Sequence, residues 1–428
     1  MVIGLAAAVV ISGCSRTNRG NPEQAAHSPF LEPGYDWGTG SGETLIIWGI
    51  YPDMDRSYIK KAFARFEDLT DDRLEVVQIP KERFEEKMMA AFQGREEMPD
   101  ILLTYGGTNV EAFDPDNTFY DFTSAEWVDD LTDTAVSQTI YNGRVIGLPH
   151  WEASVSGTLY NKNIFEKYHL EVPKTQDEFM EVCEELLSRG VIPMYLPGAE
   201  ISMLLYQFAL DSLVEDGDVL EGLNQGRIGY SDLPAMEQVV NWYKVMAERG
   251  YFGESYLTDD WNGMGEAMSS GRYAMMLCWD TWLYTDYQGD PSDFGLMPAF
   301  QGVPEQGTFE GPNLGLFMVN NESPRLDSAL NFIRFLADPY NYNAAFEGIY
   351  TAPVFKNQVA SISTPQYIEA ERLIERNFRD SIAWLRIRGF SQMDASCILE
   401  YMSPDYTGTA LDCLRKMDEQ RAARLVRP

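Results

Sequence analysis

Histidine and cysteine are scarce in this 428-residue chain, which limits the chemistry that it can perform. Only His27, His150 and His169 occur, so a metal site built from several histidines, or a nucleophile activated by histidine, is poorly supported. No two of the five cysteines are spaced Cys-x-x-Cys, which argues against a structural zinc site. We therefore expect neither a metal nor a cofactor. Cys397 and Cys413 are close enough in sequence to join two neighbouring helices, and whether they pair is left open.

Basic residues are also few, because 33 Lys and Arg stand against 66 Asp and Glu and give a formal net charge of −33. This balance argues against a nucleic-acid partner, since the neutralisation of phosphates requires a basic face. The sequence contains no Gly-Lys dipeptide, no Gly-x-Ser-x-Gly and no His-Glu-x-x-His. The common motifs of phosphate loops, serine hydrolases and zinc proteases are thus missing, and we do not expect an enzyme.

The composition is nevertheless that of a folded protein. Hydrophobic residues make up 45% of the chain and aromatic residues 13%, which is too much for a disordered acidic polypeptide. The length also exceeds the roughly 250 to 300 residues at which single hydrophobic cores stop growing. We therefore expect two lobes. We also expect the protein to be a monomer.

An uncharged apolar run opens the chain and ends at Cys14. The tetrad Ile11-Ser12-Gly13-Cys14 resembles the bacterial lipobox, in which the cysteine becomes the lipidated first residue of an exported protein. Residues 15–43 are rich in Gly, Ser, Thr, Asn and Pro, a composition that favours a flexible tether. We predict a lipoprotein signal peptide over 1–14, a tether over 15–43, and contact with the membrane through the lipid anchor only.

From Glu43 the hydrophobic pattern predicts the order strand, helix, strand, helix, strand, with strands near 45–48, 74–79 and 100–103. Right-handed crossovers turn this order into a parallel sheet with helices on its faces. In such open α/β sheets, ligands bind beyond the carboxyl ends of the strands. The side chains predicted to bind ligand in these loops are Tyr51, Asp53, Thr104, Tyr105 and Asn109.

A second unit of this kind follows Pro149, with strands predicted near 158–160, 192–196 and 273–278. Further strands are predicted at 294–297 and 314–319, and the C-terminal segment from Tyr340 onward is predicted to be almost entirely helical. We expect lobe one to comprise 44–150 plus 295–337, and lobe two 151–294 plus 338–428. The predicted ligand-binding residues of this part lie at the crossover between the lobes or after the last long strand, and they are Trp151, Glu152, Trp279, Asp280 and Trp282.

Several segments between Glu43 and Leu425 occur in an order that one known family shares. They include Met88-Met89-Ala90-Ala91-Phe92-Gln93-Gly94, Gly143-Arg144-Val145-Ile146-Gly147-Leu148-Pro149, Leu159-Tyr160-Asn161-Lys162 and Gly271-Arg272-Tyr273-Ala274-Met275-Met276. Together with the lipobox, they make the chain resemble the family 1 extracytoplasmic solute-binding proteins, the carbohydrate-binding lipoproteins of bacterial importers.

The resemblance implies a two-lobed α/β fold of the periplasmic-binding-protein type, with a ligand cleft between the lobes and a helical C-terminal segment. It implies a non-enzymatic receptor that captures a mono- or oligosaccharide and delivers it to the permease subunits of an ABC importer. The expected location is the bacterial cell envelope, at the outer face of the cytoplasmic membrane. Glu200 matches by position a family segment that contributes polar contacts, so it joins the predicted ligand-binding residues.

Two alternatives stay open at this point. Paired carboxylates and aromatic platforms also describe the cleft of a glycosidase, so a secreted carbohydrate-active enzyme would fit the same residues. A sugar receptor could also serve a sensor kinase instead of a permease, and the sequence does not separate these two roles.

Overall fold

The computed structural model describes residues 41–51, 53–199 and 206–425. The predicted lipidation site Cys14, the predicted ligand-binding residue Glu200 and almost all of the predicted tether lie outside these ranges. Within them, none of the helices combines the length and the apolar character that a membrane crossing requires.

The described part of the chain forms short strands, most of which lie in two sheets. In chain order the strands are β1 Thr44–Tyr51, β2 Arg73–Pro80, β3 Ile101–Tyr105, β4 Ile140–Tyr141, β5 Arg144–Val145, β6 Ser156–Asn161, β7 Ile192–Tyr195, β8 Tyr273–Trp279, β9 Phe294–Met297, β10 Phe309–Glu310, β11 Gly315–Val319 and β12 Phe378–Arg379.

Helices connect and cover these strands. In chain order they are α1 Ser57–Leu69, α2 Lys81–Phe92, α3 Pro115–Thr118, α4 Asp133–Thr139, α5 Lys162–Tyr168, α6 Gln176–Ser188, α7 Gln207–Val214, α8 Gly217–Asn224, α9 Pro234–Glu248, α10 Met264–Ser269, α11 Trp282–Thr285, α12 Leu326–Ala337, α13 Pro339–Phe346, α14 Pro365–Asn377, α15 Ile382–Arg386, α16 Ser396–Met402 and α17 Ala410–Leu425. Short 3-10 helices span Asp53–Asp55, Gly107–Phe113, Glu126–Asp130, Tyr230–Asp232, Pro291–Asp293 and Gln392–Ala395.

The first sheet has the strand order β11-β3-β1-β2. Strand β1 runs parallel to β2 and β3, while β11 runs antiparallel to β3. Helix α1 buries Ile59, Phe63 and Phe66, which recur at helical spacing, in the core of this lobe. The predicted strand–helix–strand–helix–strand order is therefore confirmed, and the carboxyl ends of β1 and β3 lie at one edge of the sheet.

The second sheet has the order β12-β10-β6-β8-β7, and β9 also pairs with β6. Strand β8 is buried from Tyr273 to Cys278, as expected for a strand covered on both faces. Its last residue, Trp279, lies opposite Ser156, which in turn lies opposite Glu310 of β10. This row marks the edge of the second sheet near the chain crossings between the lobes.

The strand pairings differ from the predicted lobe boundaries at two places. Strands β9 and β10 belong to the second sheet, because both pair with β6. We had predicted instead that lobe one resumes at 295. Helix α13 packs in the core of the first lobe, whereas we predicted that lobe two resumes at 338. The reason is that Asp338 caps α13 and turns the chain back, so that Phe346 stacks on Tyr58 of α1.

The chain passes between the lobes at adjacent crossings, which we call the hinge (residues 153–155, 311–314 and 350–364). Ala153 forms a β-bridge with Ala352 of another crossing. The Ala153 backbone N–H donates to the Thr351 hydroxyl at 2.7 Å, and this hydroxyl donates to the Ala153 carbonyl at 2.9 Å. The hinge thus holds two lobes side by side with a cleft between them, which confirms the predicted two-lobed α/β fold.

Candidate functional site

The carboxyl ends of β1 and β3 bring two predicted ligand-binding tyrosines to the cleft. Tyr51 is 57% exposed, whereas Tyr105 is half-buried. The ring of Tyr105 makes edge contacts with Trp151 and Trp384, with ring centroids 6.4 and 6.0 Å apart. Burial raises the pKa of Tyr105, and the nearby Asp53 carboxylate raises it further, so Tyr105 is a neutral hydrogen-bonding group.

A buried ion pair lies beside these rings. Arg56 Nη1 lies 2.9 Å from Glu152 Oε1, and the two side chains are 25% and 6% exposed. Burial raises the pKa of Glu152 above its ordinary value, although Arg56 acts in the opposite direction. The carboxylates of Asp53 and Asp286 act on the same two groups, so acidic side chains outnumber the single arginine here. This arrangement suits hydrogen bonding to hydroxyl groups better than binding of an anion.

Asp280 was predicted to bind ligand, but it lies buried against the hinge. It is 3% exposed and accepts hydrogen bonds from the Val155 backbone N–H at 2.8 Å and from the Thr364 hydroxyl at 2.5 Å. Burial raises its pKa to about 6, although these hydrogen bonds lower it. Asp280 therefore connects two hinge segments, and its oxygens are engaged by the protein.

The predicted tryptophans after β8 form a cluster with a third one. Trp279 is half-buried and stacks on Trp261 at 5.1 Å with an interplanar angle of 19°. Trp282 is only 2% exposed and supports the edge of Trp261 at 6.2 Å. Trp282 lies in the core because α11 begins there and turns its side chain inward. This position differs from the prediction that Trp282 offers its face to a ligand, whereas Trp279 and Trp261 are both partly exposed.

Two further predicted residues have partners within the protein. Thr104 is buried and lies opposite Leu316 in the β3–β11 ladder. Asn109 donates through Nδ2 to the Gly106 carbonyl at 2.9 Å and to the Trp384 carbonyl at 3.1 Å. Asn109 therefore joins the lobes directly.

The structure brings Tyr105, Trp151 and Glu152 together, and it adds Arg56 and Trp384, which are not among the predicted ligand-binding residues. Arg56 lies in the loop after the first strand, which was predicted to supply polar side chains to the site. Trp384 comes from the C-terminal segment, where no strand end indicates a ligand site, so no local signal could have identified it. The described residues contain no group of three or more His, Cys, Asp or Glu arranged to hold a metal ion. Cys183, Cys278, Cys397 and Cys413 are free thiols.

Comparison with known proteins agrees with this fold. The model of the family described as bacterial extracellular solute-binding protein matches residues 61–372, which is more than half of the chain. An uncharacterized ABC transporter extracellular-binding protein of Pyrococcus horikoshii is 27% identical over 161 residues, and this match covers 37% of either chain. The melibiose/raffinose/stachyose-binding protein of Bacillus subtilis is 23% identical over 312 residues, covering 70% of this chain and 71% of that protein.

A solved structure has the same fold over almost its whole length. The putative binding protein of Bacillus subtilis, in an open conformation, superposes with a TM-score of 0.75 at 20% identity. The superposition covers 89% of this chain and 97% of that one. On the extent of the family match, the chain belongs to the bacterial extracellular solute-binding protein family.

Proposed function

We propose that this protein is a receptor outside the cytoplasm that binds a mono- or oligosaccharide and delivers it to the permease of an ABC importer. The observation that carries the proposal is the row of Trp151, Tyr105 and Trp384 beside the Arg56–Glu152 ion pair. Sugar rings have apolar faces and hydroxyl edges, so they require aromatic surfaces together with polar side chains that hydrogen-bond in pairs.

Membership of the family supports transport rather than catalysis. The name of the Bacillus subtilis relative describes binding of melibiose, raffinose and stachyose, and the name of the Pyrococcus horikoshii relative describes an ABC transporter. These names supply the ligand class and the partner that we infer for this chain.

The contacts of the carboxylates favour binding over hydrolysis. A glycosidase requires two carboxyl groups that flank the scissile bond, one as the acid and one as the base or nucleophile. Of the predicted carboxylates, Glu152 is paired with Arg56, and both oxygens of Asp280 accept hydrogen bonds from the hinge. These two carboxylates therefore have structural partners, which favours a receptor over an enzyme.

We also infer that Cys14 carries a lipid that holds the protein at the outer face of the cytoplasmic membrane. The support for this inference is the resemblance of Ile11-Ser12-Gly13-Cys14 to the lipobox and the composition of the tether behind it. The tether would let the lobes open and close at a distance from the lipid surface.

A thermal-shift screen over neutral mono- and oligosaccharides tests the ligand class. A saccharide that binds the native protein raises the melting temperature in proportion to the logarithm of its concentration once the site is saturated. The same saccharides are then incubated with the protein and assayed for new reducing ends. We expect at least one saccharide to raise the melting temperature without being cleaved. A panel without any stabilising saccharide, or the appearance of new reducing ends, would contradict the proposal.

A further inference from the structure

A short helix of the second lobe contacts the first lobe directly at one side of the cleft. Helix α15 (Ile382–Arg386) packs on the 3-10 helix Gly107–Phe113, which follows β3. The Trp384 carbonyl accepts the hydrogen bond from Asn109 Nδ2, and just beyond α15 the Ile387 carbonyl accepts one from the Thr108 hydroxyl at 3.3 Å. We call the segments 105–111 and 384–388 the interlobe contact.

The interlobe contact also contains an ion pair and a close approach of two backbones. Arg388 Nη2 lies 2.6 Å from Glu111 Oε1. Gly107 has a φ of +61°, and a Cβ atom built on it would lie 2.2 Å from the Leu385 carbonyl oxygen. A larger residue at position 107 would therefore push the helix away from the first lobe. The two lobes are fitted to each other at this side of the cleft.

This contact places the Trp384 ring across the cleft. One side of the ring meets Tyr105 at 6.0 Å with an interplanar angle of 76°, and Phe390 lies at 5.7 Å. Trp151, at the hinge, contacts Tyr105 from the other direction. The buried indole Nε1 of Trp384 finds no hydrogen-bond partner among the described residues. The row Trp151, Tyr105, Trp384 thus runs from the hinge to the interlobe contact and ends there.

Two buried carboxyl groups anchor α15 in the second lobe. Asp211 of α7 accepts a hydrogen bond from the Ala383 backbone N–H at 2.6 Å through Oδ1. Glu310 of β10 accepts one from the Ser381 hydroxyl at 3.1 Å through Oε1. Ser381 and Ala383 lie within the three residues that precede Trp384, so Asp211 and Glu310 fix the backbone from which the ring projects. The position of Trp384 is therefore determined from both lobes.

We propose that Trp384 closes one end of the ligand cleft and limits the length of the saccharide that fits there. The inference rests on the proposed function, because it concerns the ligand of the same site. A chain that continued past Tyr105 toward α15 would have to displace the indole ring and break the interlobe contact. The site therefore holds a short saccharide, or one end of a longer one, with its last ring against Trp384.

Melibiose, raffinose and stachyose provide the probe, because each contains one ring more than the one before. Raffinose carries the added ring at the glucose end of melibiose, and stachyose carries a further ring at the galactose end. Calorimetric affinities are measured for the wild type, for Trp384→Ala and for Trp384→Phe, which retains part of the aromatic surface. We expect Trp384→Ala to change the ratio of the stachyose affinity to the melibiose affinity in favour of stachyose by about fivefold or more. Trp384→Phe should give an intermediate ratio, and Trp242→Phe, in the core of the second lobe, is the matched control.

A merely structural role of Trp384 would weaken binding of all three saccharides equally and leave these ratios unchanged. Equal ratios in the wild type and both Trp384 variants would thus overturn the inference while leaving the proposed function intact. If Trp384→Ala fails to fold, the ratio of the stachyose affinity to the melibiose affinity in Trp384→Phe still decides the question. If none of the three saccharides binds to any variant, the inference fails, and the wider panel of saccharides decides separately whether the proposed function survives.

Discussion

Arg56 and Glu152 connect the loop after the first strand to the first chain crossing, through an ion pair of 2.9 Å at the base of the cleft. Glu152 also donates its backbone N–H to the Tyr58 hydroxyl at 3.2 Å. The pair therefore fixes the backbone at the start of the hinge while leaving charged groups beside Tyr105. The ion pair supplies polar groups next to the aromatic rings of Trp151, Tyr105 and Trp384.

Removing the cation from this pair should destabilise the protein. Arg56→Gln leaves the buried Glu152 carboxylate without its counter-ion. Because Arg56 is 25% exposed, we expect a loss of about 1–3 kcal/mol in the free energy of unfolding at pH 7, which is less than for a fully buried pair. Urea denaturation of the ligand-free protein measures this loss. As a control, Arg189→Gln breaks the exposed Arg189–Glu185 pair of 2.6 Å and should change stability by no more than about 0.5 kcal/mol. If both substitutions lowered the free energy of unfolding by the same amount, the Arg56–Glu152 pair would contribute no more than an exposed pair, which would contradict the prediction.

Asp280 should make the stability of the hinge depend on pH. Its pKa in the folded state is about 6, above the ordinary value of 3.8, so folding favours the protonated form. The corresponding stabilisation is fully present below the unfolded pKa and is lost as the pH rises through about 6. Between pH 4 and 7 the wild type should lose up to about 3 kcal/mol relative to Asp280→Asn, which keeps a carbonyl for Val155 and cannot ionise.

Urea denaturation of both proteins across this pH range gives the difference directly. Other titrating groups, including the buried His150, whose pKa burial lowers to about 4, are common to both proteins and cancel in the comparison. A difference that stays constant from pH 4 to 7 would mean that Asp280 does not titrate in this range.

Glu310 should produce a similar effect at higher pH. Burial raises the pKa of Glu310 to about 8, and burial together with Glu310 raises the pKa of its neighbour Asp211. Asp380 also acts on Asp211 and raises its pKa. The stabilisation from the bound proton is lost as the pH rises through about 8, because Glu310 then carries a charge in a site from which solvent is excluded.

We therefore expect the melting temperature of the wild type to fall more steeply between pH 6 and 9 than that of Glu310→Gln. The variant remains uncharged at this position and retains a carbonyl oxygen for the Ser381 hydroxyl. Glu369→Gln, at an exposed position of α14, is the control and should keep the wild-type profile. Parallel profiles for the wild type and Glu310→Gln would contradict the assignment of the bound proton to this pair.

Lipidation at Cys14 is tested by cell fractionation. Once expressed in a bacterial host with a working signal sequence, the wild type should remain with the membrane, and Cys14→Ser should move to the soluble fraction. Cys183→Ser, which changes a buried thiol of α6, is the control for loss of a cysteine as such. Recovery of both the wild type and Cys14→Ser in the same fraction would contradict the anchor.

The sequence allowed most strands to be predicted because the buried strands are short apolar runs with distinct boundaries. The pattern 273–278 is one example, and the structure has β8 at Tyr273–Trp279. Lobe boundaries were harder to predict, because a strand such as β9 is equally apolar in either sheet. Only its pairing with β6, over a hundred residues earlier, decides where it belongs.

The candidate site was predictable only where it follows strand ends. Trp279 and Trp282 both come after β8, and nothing in their spacing shows that α11 turns Trp282 into the core while Trp279 stays at the surface. The position of the Trp384 ring depends on its contact with Tyr105 and on the hydrogen bonds by which Asp211 and Glu310 hold the preceding backbone. These three residues are all distant from Trp384 in sequence. Such contacts arise from tertiary packing, which a single sequence does not display.

The central claim is that a carbohydrate binds in the cleft at Tyr105, and a calorimetric titration tests it most directly. The saccharide that stabilises the wild type most is titrated into the wild type and into Tyr105→Ala, with the melting temperature of each ligand-free protein measured in parallel. We predict one binding site per chain in the wild type and an affinity that is roughly 5- to 150-fold lower in the variant, as expected for the loss of about 1–3 kcal/mol. An unchanged affinity in a variant of unchanged stability would contradict the account, as would a wild type that binds no saccharide.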